Sequence, residues 1–531
     1  MTYADWIAEF DTLTPERRKA WQNSIAQLPQ RPLISVLIPV YNPDLQFLEE
    51  AITSVEKQIY DHWEICLADD ASTDPRVLPF LELRARHERR IKLSFRETNG
   101  HISACSNSAL TLARGEWCAL LDQDDALAED ALAEVAAEIG RHPEAGIVYS
   151  DEDFIDSLGT RSNPFFKPDW NPELFMGQNY LNHLGVYRTA LLREIGGFRE
   201  GFEGSQDYDL VLRSVARLRP DQIRHIPRLL YRWRMVQGSL ADQPDAKPYA
   251  RHAARDALNS YLQEQDFAAR AESCPQNAES HRVIYETPNP LPTITVITSS
   301  QNTAWLRDGV DGLKPEVVPT NPDARSANEA AERAQGDVLL FLGGEIPSAE
   351  EGWLSEMLSH VVRPEVGIAG APLWSPAGTL EDGGLILGVG GVAAPAFRGV
   401  PRGHPGYFNR AWLQQNYSAV SGACLMVRKD VFLKLGGFDG ANLPQHFFDI
   451  DFCLRAQEDG LQVVWTPYAN LVFAGSGVRE ESQSPAEAEY LKQRWHSQIV
   501  GDPCYNRNLT LVTPDFALAV PPRLNDSKTQ P

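Results

Sequence analysis

The sequence predicts an α/β fold, in which a Rossmann-like, mostly parallel sheet is built twice in tandem behind a short N-terminal helical segment. Two observations carry this expectation. From Pro32 onward short apolar runs alternate with helical stretches, and the second half of the chain repeats the first in register. Length agrees: 531 residues exceed what one core supports, and roughly 150 residues per domain implies two to four domains.

The elements can be justified in order. In residues 1–30, Trp6, Phe10, Trp21, Ile25 and Leu28 recur at helical spacing, which forms an apolar face. That face packs on the following domain or, with Arg17, Arg18 and Lys19 beside it, docks on a membrane surface. "LISVLIPV" (33–40), "HWEICLAD" (62–69), "IKLSF" (91–95), "WCALL" (117–121) and "AGIVYS" (145–150) read as buried strands. "LQFLEEAITSVEKQ", "RVLPFLELRARHE", "SACSNSALTLAR" and "EDALAEVAAEIGR" between them read as helices, so the strands are parallel with crossover helices. Polar clusters follow three of these strands: "PVYN", "DDASTD" and "DQDD". In such a sheet ligands bind outside the carboxyl ends of the strands, where these clusters sit.

Composition narrows the function. Hydrophobic content of 43% and charged content of 23% are those of a soluble globular protein. Acidic residues outnumber basic ones, 72 to 49, for a net charge of -23; a nucleic-acid partner, which needs clustered cations, is not expected. No apolar run approaches the roughly 18–20 residues of a membrane span, and the N-terminus lacks the order of a secretion signal, so a cytoplasmic location is expected. The seven cysteines are scattered without a CxxC pair and read as reduced core residues.

The repeat can be checked by counting. "PLISVLIPVYN" (32–42) matches "PTITVITSSQN" (292–302). "SNSALTLARGEWCALLD" matches "SANEAAERAQGDVLLFLG", with Asn107, Gly115 and Asp122 answering to Asn328, Gly336 and Gly343. "GGFREGFEGSQDYDLVLR" (196–213) matches "GGFDGANLPQHFFDIDFCLR" (436–455). From Asn42 to Asn99 the first copy spends 57 positions, but from Asn302 to Asn321 the second spends 19. A helix and the tip of the second strand, with Asp69 and Asp70, have no counterpart there. The expected boundaries are a helical segment 1–30, a first domain 31–265, a linker 266–290, a second domain 291–505 and a tail 506–531.

The acids of the first copy suggest chemistry. Asp122, Asp124 and Asp125 crowd a strand end and repel one another unless a cation sits among them; oxygen-only ligands suit Mg²⁺ or Mn²⁺. The alternative is that they cap the following helix. "DDASTD" either accepts from the N–H of a nucleotide base or forms ordinary Asx and ST turns. Tyr41 either stacks on a base or is a half-buried strand-end tyrosine. Asp207 is a candidate general base or an N-cap, while Asp209 reads as the partner of Arg213 one turn on.

Together with "YSDEDFID", "FKPDWNPELF" and "NYLNHLGVYR", these motifs over residues 32–245 resemble family 2 glycosyltransferases of the GT-A fold, in the RfbC-like subgroup of O-antigen and capsular polysaccharide synthesis. The resemblance implies that Pro39, Tyr41, Asp69, Asp70, Asn107, Asp122 and Gln123 meet the nucleotide sugar. By the same likeness Asp124 and Asp125 hold Mn²⁺ or Mg²⁺, Asp207 is the base of an inverting displacement, and Glu152, Trp170 and His183 face the acceptor. Relatives carry a histidine where "LLYRWRMVQGS" places Arg232; an arginine could contact diphosphate there, so the third metal ligand stays open.

The second copy replaces Asp122-Gln123-Asp124-Asp125 with Gly343-Gly344-Glu345-Ile346, "PVYN" with "SSQN", and ends "LVFAGSG", keeping only the base-like Asp449. It is expected to be an inactive scaffold that holds the glycan or docks the first domain. The expected function is transfer of a sugar, with rhamnose as the subgroup's suggestion, from a nucleotide-diphosphate donor to a glycan or polyprenyl-linked acceptor. Its setting would be surface polysaccharide synthesis, with peripheral contact at the inner membrane or with assembly proteins. A two-site polymerase and a non-catalytic glycan-binding protein are the rival readings.

Overall fold

The computed structural model describes residues 1–235, 248–301, 303–307, 310–475 and 484–524. Asn302, Ser476 and Gly477 of "LVFAGSG", Val236–Ser239 of "LLYRWRMVQGS" and the end of the expected tail lie outside them. The chain divides into two compact units: residues 1–170, 179–267 and the terminus from 520, and residues 171–178 with 268–519.

The elements of the first part of the chain are, in order, α1 (Tyr3–Trp6), α2 (Pro15–Gln27), β1 (Ile34–Val40), α3 (Leu45–Glu56), β2 (Trp63–Asp69), α4 (Val77–His87), β3 (Ile91–Phe95), α5 (His101–Leu112), β4 (Trp117–Leu120), β5 (Ala126–Leu127) and α6 (Ala131–Arg141). They continue with β6 (Ile147–Ile155), β7 (Arg161–Phe165), α7 (Pro172–Gly177, which belongs to the second unit), β8 (Gly185–Arg188), α8 (Thr189–Glu194), α9 (Gln206–Val215), β9 (Ile223–Arg234) and α10 (Pro248–Glu264). The sheet runs β3-β2-β1-β4-β8-β6-β9-β5, with β7 paired to β6. β1, β2, β3 and β4 are parallel, as are β6 and β9; β8 runs against both of its neighbours. β1 and β2 are buried along nearly their whole length, which is why they read as continuous apolar runs rather than alternating ones.

The N-terminal segment is two helices rather than one. α1 runs into a single π turn at Ile7–Asp11, and Thr14 accepts from the Arg17 N–H to start α2 with Pro15 at its first turn. The apolar face turns inward: Trp6 and Trp21 are buried, and Trp6 packs edge-on against Phe166. Arg18 pairs with Glu129 and Arg17 reaches Asp130. This is the packing alternative, and it leaves that aromatic face unavailable for a membrane.

The second unit repeats the topology. Its sheet orders strands Glu316–Pro319, Ile294–Thr298, Val338–Leu342, Cys424–Arg428, Val366–Gly370, Gln462–Trp465 and Gln415–Asn416, which match β2, β1, β4, β8, β6 and β9 with an added edge. Counterparts of β3 and α4 are missing among the described residues, as the shortened spacing requires. Even single hydrogen bonds recur. The Ser35 hydroxyl donates to Glu64 (2.8 Å) and accepts from the Gly115 N–H (2.9 Å); Thr295 does the same with Glu316 (2.6 Å) and Gly336 (2.8 Å).

Two expected boundaries change. The stretch 266–290 holds a hairpin, Ala269–Cys274 with Asn277–Tyr285, whose Ala271 and Val283 are buried. Residues 506–519 are packed into the second unit, since Phe516 stacks on Phe397 and Tyr407. All seven cysteines are buried thiols, none of them in a disulfide. No helix among the described residues is long and apolar enough to cross a membrane.

Candidate active site

The site gathers at the carboxyl ends of β1, β2 and β4. Asn42, at φ +42°, accepts through Oδ1 from the Thr73 (2.8 Å) and Asp74 (3.2 Å) N–H groups, while its own N–H donates to Ser72 (2.9 Å). "PVYN" and "DDASTD" are thereby one rigid rim. Gln123 bonds the main chain of Tyr41 in both directions, leaving the Tyr41 ring 45% exposed. Pro39 lies within β1, paired with Ala68.

The paired aspartates of β2 separate in role. Asp70 accepts from Arg96 Nε (2.7 Å) and from the Gly100 N–H at the start of α5 (2.9 Å), so its carboxylate is engaged within the fold. Asp69 accepts from the Ser72 N–H through Oδ2 (3.1 Å), and its other oxygen is buried with no partner among the described residues. A buried unpaired acceptor is costly, and of the two aspartates Asp69 is the one equipped to take a ligand N–H.

The "DQDD" turn divides similarly. Asp122 and Asp124 are partly exposed, whereas Asp125 is 1% exposed. Asp125 accepts from the Tyr231 hydroxyl (2.5 Å) and from the Arg234 N–H (2.7 Å), both on β9. Burial first, then Asp122 and Asp124, pushes the Asp125 carboxyl well above the usual range. Arg234 also donates to the Asp124 carbonyl (2.6 Å) and pairs with Glu50. Asp125 thus pins the loop, and a metal-ligand role for it is not what its contacts favour.

His183 stands beside this turn, stacked on Tyr231 at 4.6 Å. Its Nδ1 lies 2.9 Å from Glu152, which Lys167 also approaches at 3.7 Å. Burial pulls the imidazole down, but Glu152, Asp122 and Asp125 outweigh it and raise it to about 9. Burial would raise Glu152, yet Lys167 and His183 hold it below the usual range. Trp170 is half-buried three residues beyond Lys167. The buried Lys167, which also donates to the carbonyls of Asn182 and His183 (2.7 Å each), gave no periodic signal in the sequence.

Asp207, in the first turn of α9, accepts from the Tyr208 N–H (2.8 Å) and the side chains of Asn182 and Asn179. Burial raises its pKa, and His183 is the largest opposing influence. His183 thus acts electrostatically on both Asp207 and the acidic turn. Asp209 is held by Arg213 (2.8 Å) and Arg199, a structural pair as expected.

Two further expectations are corrected. Asn107 does not point at a nucleotide: it clamps Phe198, donating to its carbonyl (2.7 Å) and accepting from its N–H (2.8 Å). Asn328 clamps Phe438 identically (2.8 and 2.9 Å), and a Cβ on Gly197, at φ +71°, would sit 2.3 Å from Asn107 Oδ1. Arg232 pairs with Asp153 (3.0 Å) and Asp11 (3.5 Å), so it is committed away from diphosphate. His225, the neighbouring histidine, is locked between Asp151 and Asp169 (2.9 Å each).

No group of three or more His, Cys, Asp or Glu among the described residues could hold a metal by itself. Asp122 and Asp124 nevertheless fit a hard cation that takes its remaining ligands from phosphate oxygens.

Residues 35–195 match the family model described as glycosyl transferase family 2. These residues are the chain's glycosyl transferase family 2 segment. Over 95% of its length, the chain is 39% identical to protein y4gI of Sinorhizobium fredii. It is 33% identical, over 97%, to the O-antigen biosynthesis protein RfbC of Myxococcus xanthus. The chain spans 61% and 43% of the length of these two relatives. A solved structure of S. aureus TarS 1–349 in complex with UDP-GlcNAc is 22% identical, covers 43% of this chain and 72% of its own, and has a TM-score of 0.35. The family model spans β1 to α8, so the acidic turn, Glu152 and His183 lie inside the family 2 segment, while Asp207 lies just beyond it.

Proposed function

We propose that the chain is an inverting glycosyltransferase of surface polysaccharide synthesis, using a nucleotide-diphosphate sugar, with dTDP-rhamnose the first candidate, and a glycan or polyprenyl-linked acceptor. The observation that carries this reading is the family 2 match over residues 35–195, which contains the acidic turn, Glu152 and His183. Tyr41 and Asp69 receive the base, Asp122 approaches the ribose, and Asp124 with Asp122 would hold Mg²⁺ or Mn²⁺. The cation, when bound, supplies charge stabilisation for the departing diphosphate. Asp207, made more basic by burial, takes the proton of the acceptor hydroxyl as its oxygen bonds to the anomeric carbon and the carbon–phosphate-oxygen bond breaks. Glu152 and Lys167 orient His183, whose positive charge lies beside the developing negative charge. Trp170 offers a face to the acceptor sugar.

We place the protein in the cytoplasm, with peripheral contact at the inner membrane through its acceptor. The reading is tested by measuring nucleotide-sugar turnover with and without Mn²⁺ for the native chain and Asp124→Ala. Metal-dependent turnover lost in the variant is expected; turnover indifferent to both changes refutes it. Thermal stabilisation across a panel of nucleotide sugars then identifies the donor, since a ligand bound only by the folded state raises apparent stability.

A further inference from the structure

The second unit holds a cavity of about 340 Å³ at the carboxyl ends of its own strands. We propose that this cavity is a binding site for a neutral sugar residue, independent of metal and of nucleotide.

The lining decides the ligand class. Asp323, Glu381, Asp382 and Asp449 line it together with His446, and no lysine or arginine among the described residues does. A diphosphate would meet carboxylates without a compensating cation, because the pair Asp122 and Asp124 is here Gly343 and Glu345, and Glu345 does not line the cavity. Charge repulsion therefore excludes the donor chemistry of the first copy. Hydroxyl groups, in contrast, are good donors to carboxylates.

Aromatic surface has replaced the lost charges. Aligned through the shared Asp-x-Asp-x-x-x-Arg turn, Phe447 and Phe448 stand where the first copy has Ser205 and Gln206, directly before Asp449. The salt bridge Asp451–Arg455 (2.8 Å) matches Asp209–Arg213 (2.8 Å) and fixes that register. By strand register Phe473 stands where the first copy has Arg232, and its ring lies 2.9 Å from where a Cβ on Gly344 would be. Phe447 is held at φ +61°, a conformation that is strained for a bulky residue and concentrates at functional sites. Apolar rings beside hydrogen-bonding carboxylates, in a cavity of this volume, suit the apolar face and hydroxyl rim of a pyranose.

Asp449 keeps the setting of Asp207. It accepts from the Gly422 N–H (2.5 Å), at the position of Asn182, and from the Ile450 N–H (2.9 Å), as Asp207 does from Tyr208. A carboxylate oriented in this way, without a donor site before it, binds a hydroxyl instead of activating one.

The inference stands on the second unit alone and survives failure of the proposed transferase activity. Saturation-transfer-difference NMR on the full chain in EDTA would probe methyl glycosides of rhamnose, glucose, galactose, mannose and N-acetylglucosamine. At least one is expected to bind, equally to the native chain and to Asp124→Ala, and not to be displaced when UDP is added with Mg²⁺ in excess of the EDTA. Asp449→Asn and Phe448→Ala, each checked for native unfolding behaviour, are expected to weaken that binding at least about tenfold, the loss of one charged hydrogen bond or one ring contact. No signal from any glycoside overturns the proposal. So does a signal displaced by the nucleotide, or one unchanged in both folded variants.

Discussion

Substituting Asp125 and Asp124 separately tests whether the acids of "DQDD" divide their labour. Asp125→Ala removes the acceptor of two buried donors, the Tyr231 hydroxyl and the Arg234 N–H. Leaving a buried donor unsatisfied costs about 1–3 kcal/mol, so two give roughly 2–6. Removing a carboxylate that Asp122 and Asp124 repel returns part of this, for a net loss of about 3 kcal/mol. Since about 1 kcal/mol moves the midpoint of a domain this size by roughly 2–4 °C, the first domain's transition is expected to fall by about 6–12 °C. Asp124 holds Arg234 through its main-chain carbonyl, which alanine keeps, so Asp124→Ala is expected to change stability by less than about 1 kcal/mol. Its turnover is expected to drop at least about 100-fold, the usual scale for losing one transition-state charge stabiliser. Calorimetry and a Mn²⁺-dependent turnover assay read the two effects. A native midpoint for Asp125→Ala, together with a lost Mn²⁺ response, would make Asp125 a ligand and refute the division.

Other consequences follow from single contacts. Asn107→Ala and Asn328→Ala each strand a backbone N–H and carbonyl; each is expected to cost about 2–4 kcal/mol in denaturant unfolding, seen in its own domain's transition. Arg232→Ala is expected to lower stability through Asp153 while leaving the KM for nucleotide sugar within about twofold, whereas a tenfold rise would restore a diphosphate contact. Glu356 of the second unit is lowered to about 2: burial opposes ionisation, but His360, Arg282 and Thr466 prevail. Its folded value lies below its unfolded one, so its contribution is present above about pH 4.5 and lost as pH falls toward 2. It amounts to about 3 kcal/mol at most, and Glu356→Gln should flatten acid unfolding in that window.

The strands and helices were legible because burial on both faces of a parallel sheet leaves continuous apolar runs, as in β1 and β2. The repeat was legible because turns and caps tie residue type to backbone shape, as at Gly197 and Gly437. What could not be read was the partner of each polar side chain. Asn107 sits in a helix that faces the candidate site, and nothing in its spacing distinguishes a nucleotide contact from a clamp on Phe198, which is 91 positions away. The acids of "YSDEDFID" have the same problem in sharper form. Asp151 meets His225, Glu152 meets His183 and Asp153 meets Arg161 and Arg232, a sorting produced by strand alternation and the return of β9. The linker reading of 266–290 failed because a short hairpin with few apolar residues has little periodic signal.

The two copies also separate what the fold needs from what the chemistry needs. The Ser35/Thr295 bridge, the asparagine clamp and the Asp–Arg turn are present in both, so they are the folding set. Position 125 is not in it, because the second copy buries Ile346 there at 2% exposure and still closes its sheet. A buried carboxylate beside two others destabilises the chain that carries it, and an apolar side chain avoids that cost. Its retention in the first copy, fastened to Tyr231 and Arg234, is therefore explained by the loop it positions. It holds Asp122 and Asp124 at the end of β4, where the second copy, free of that requirement, has Gly343 and Glu345 instead.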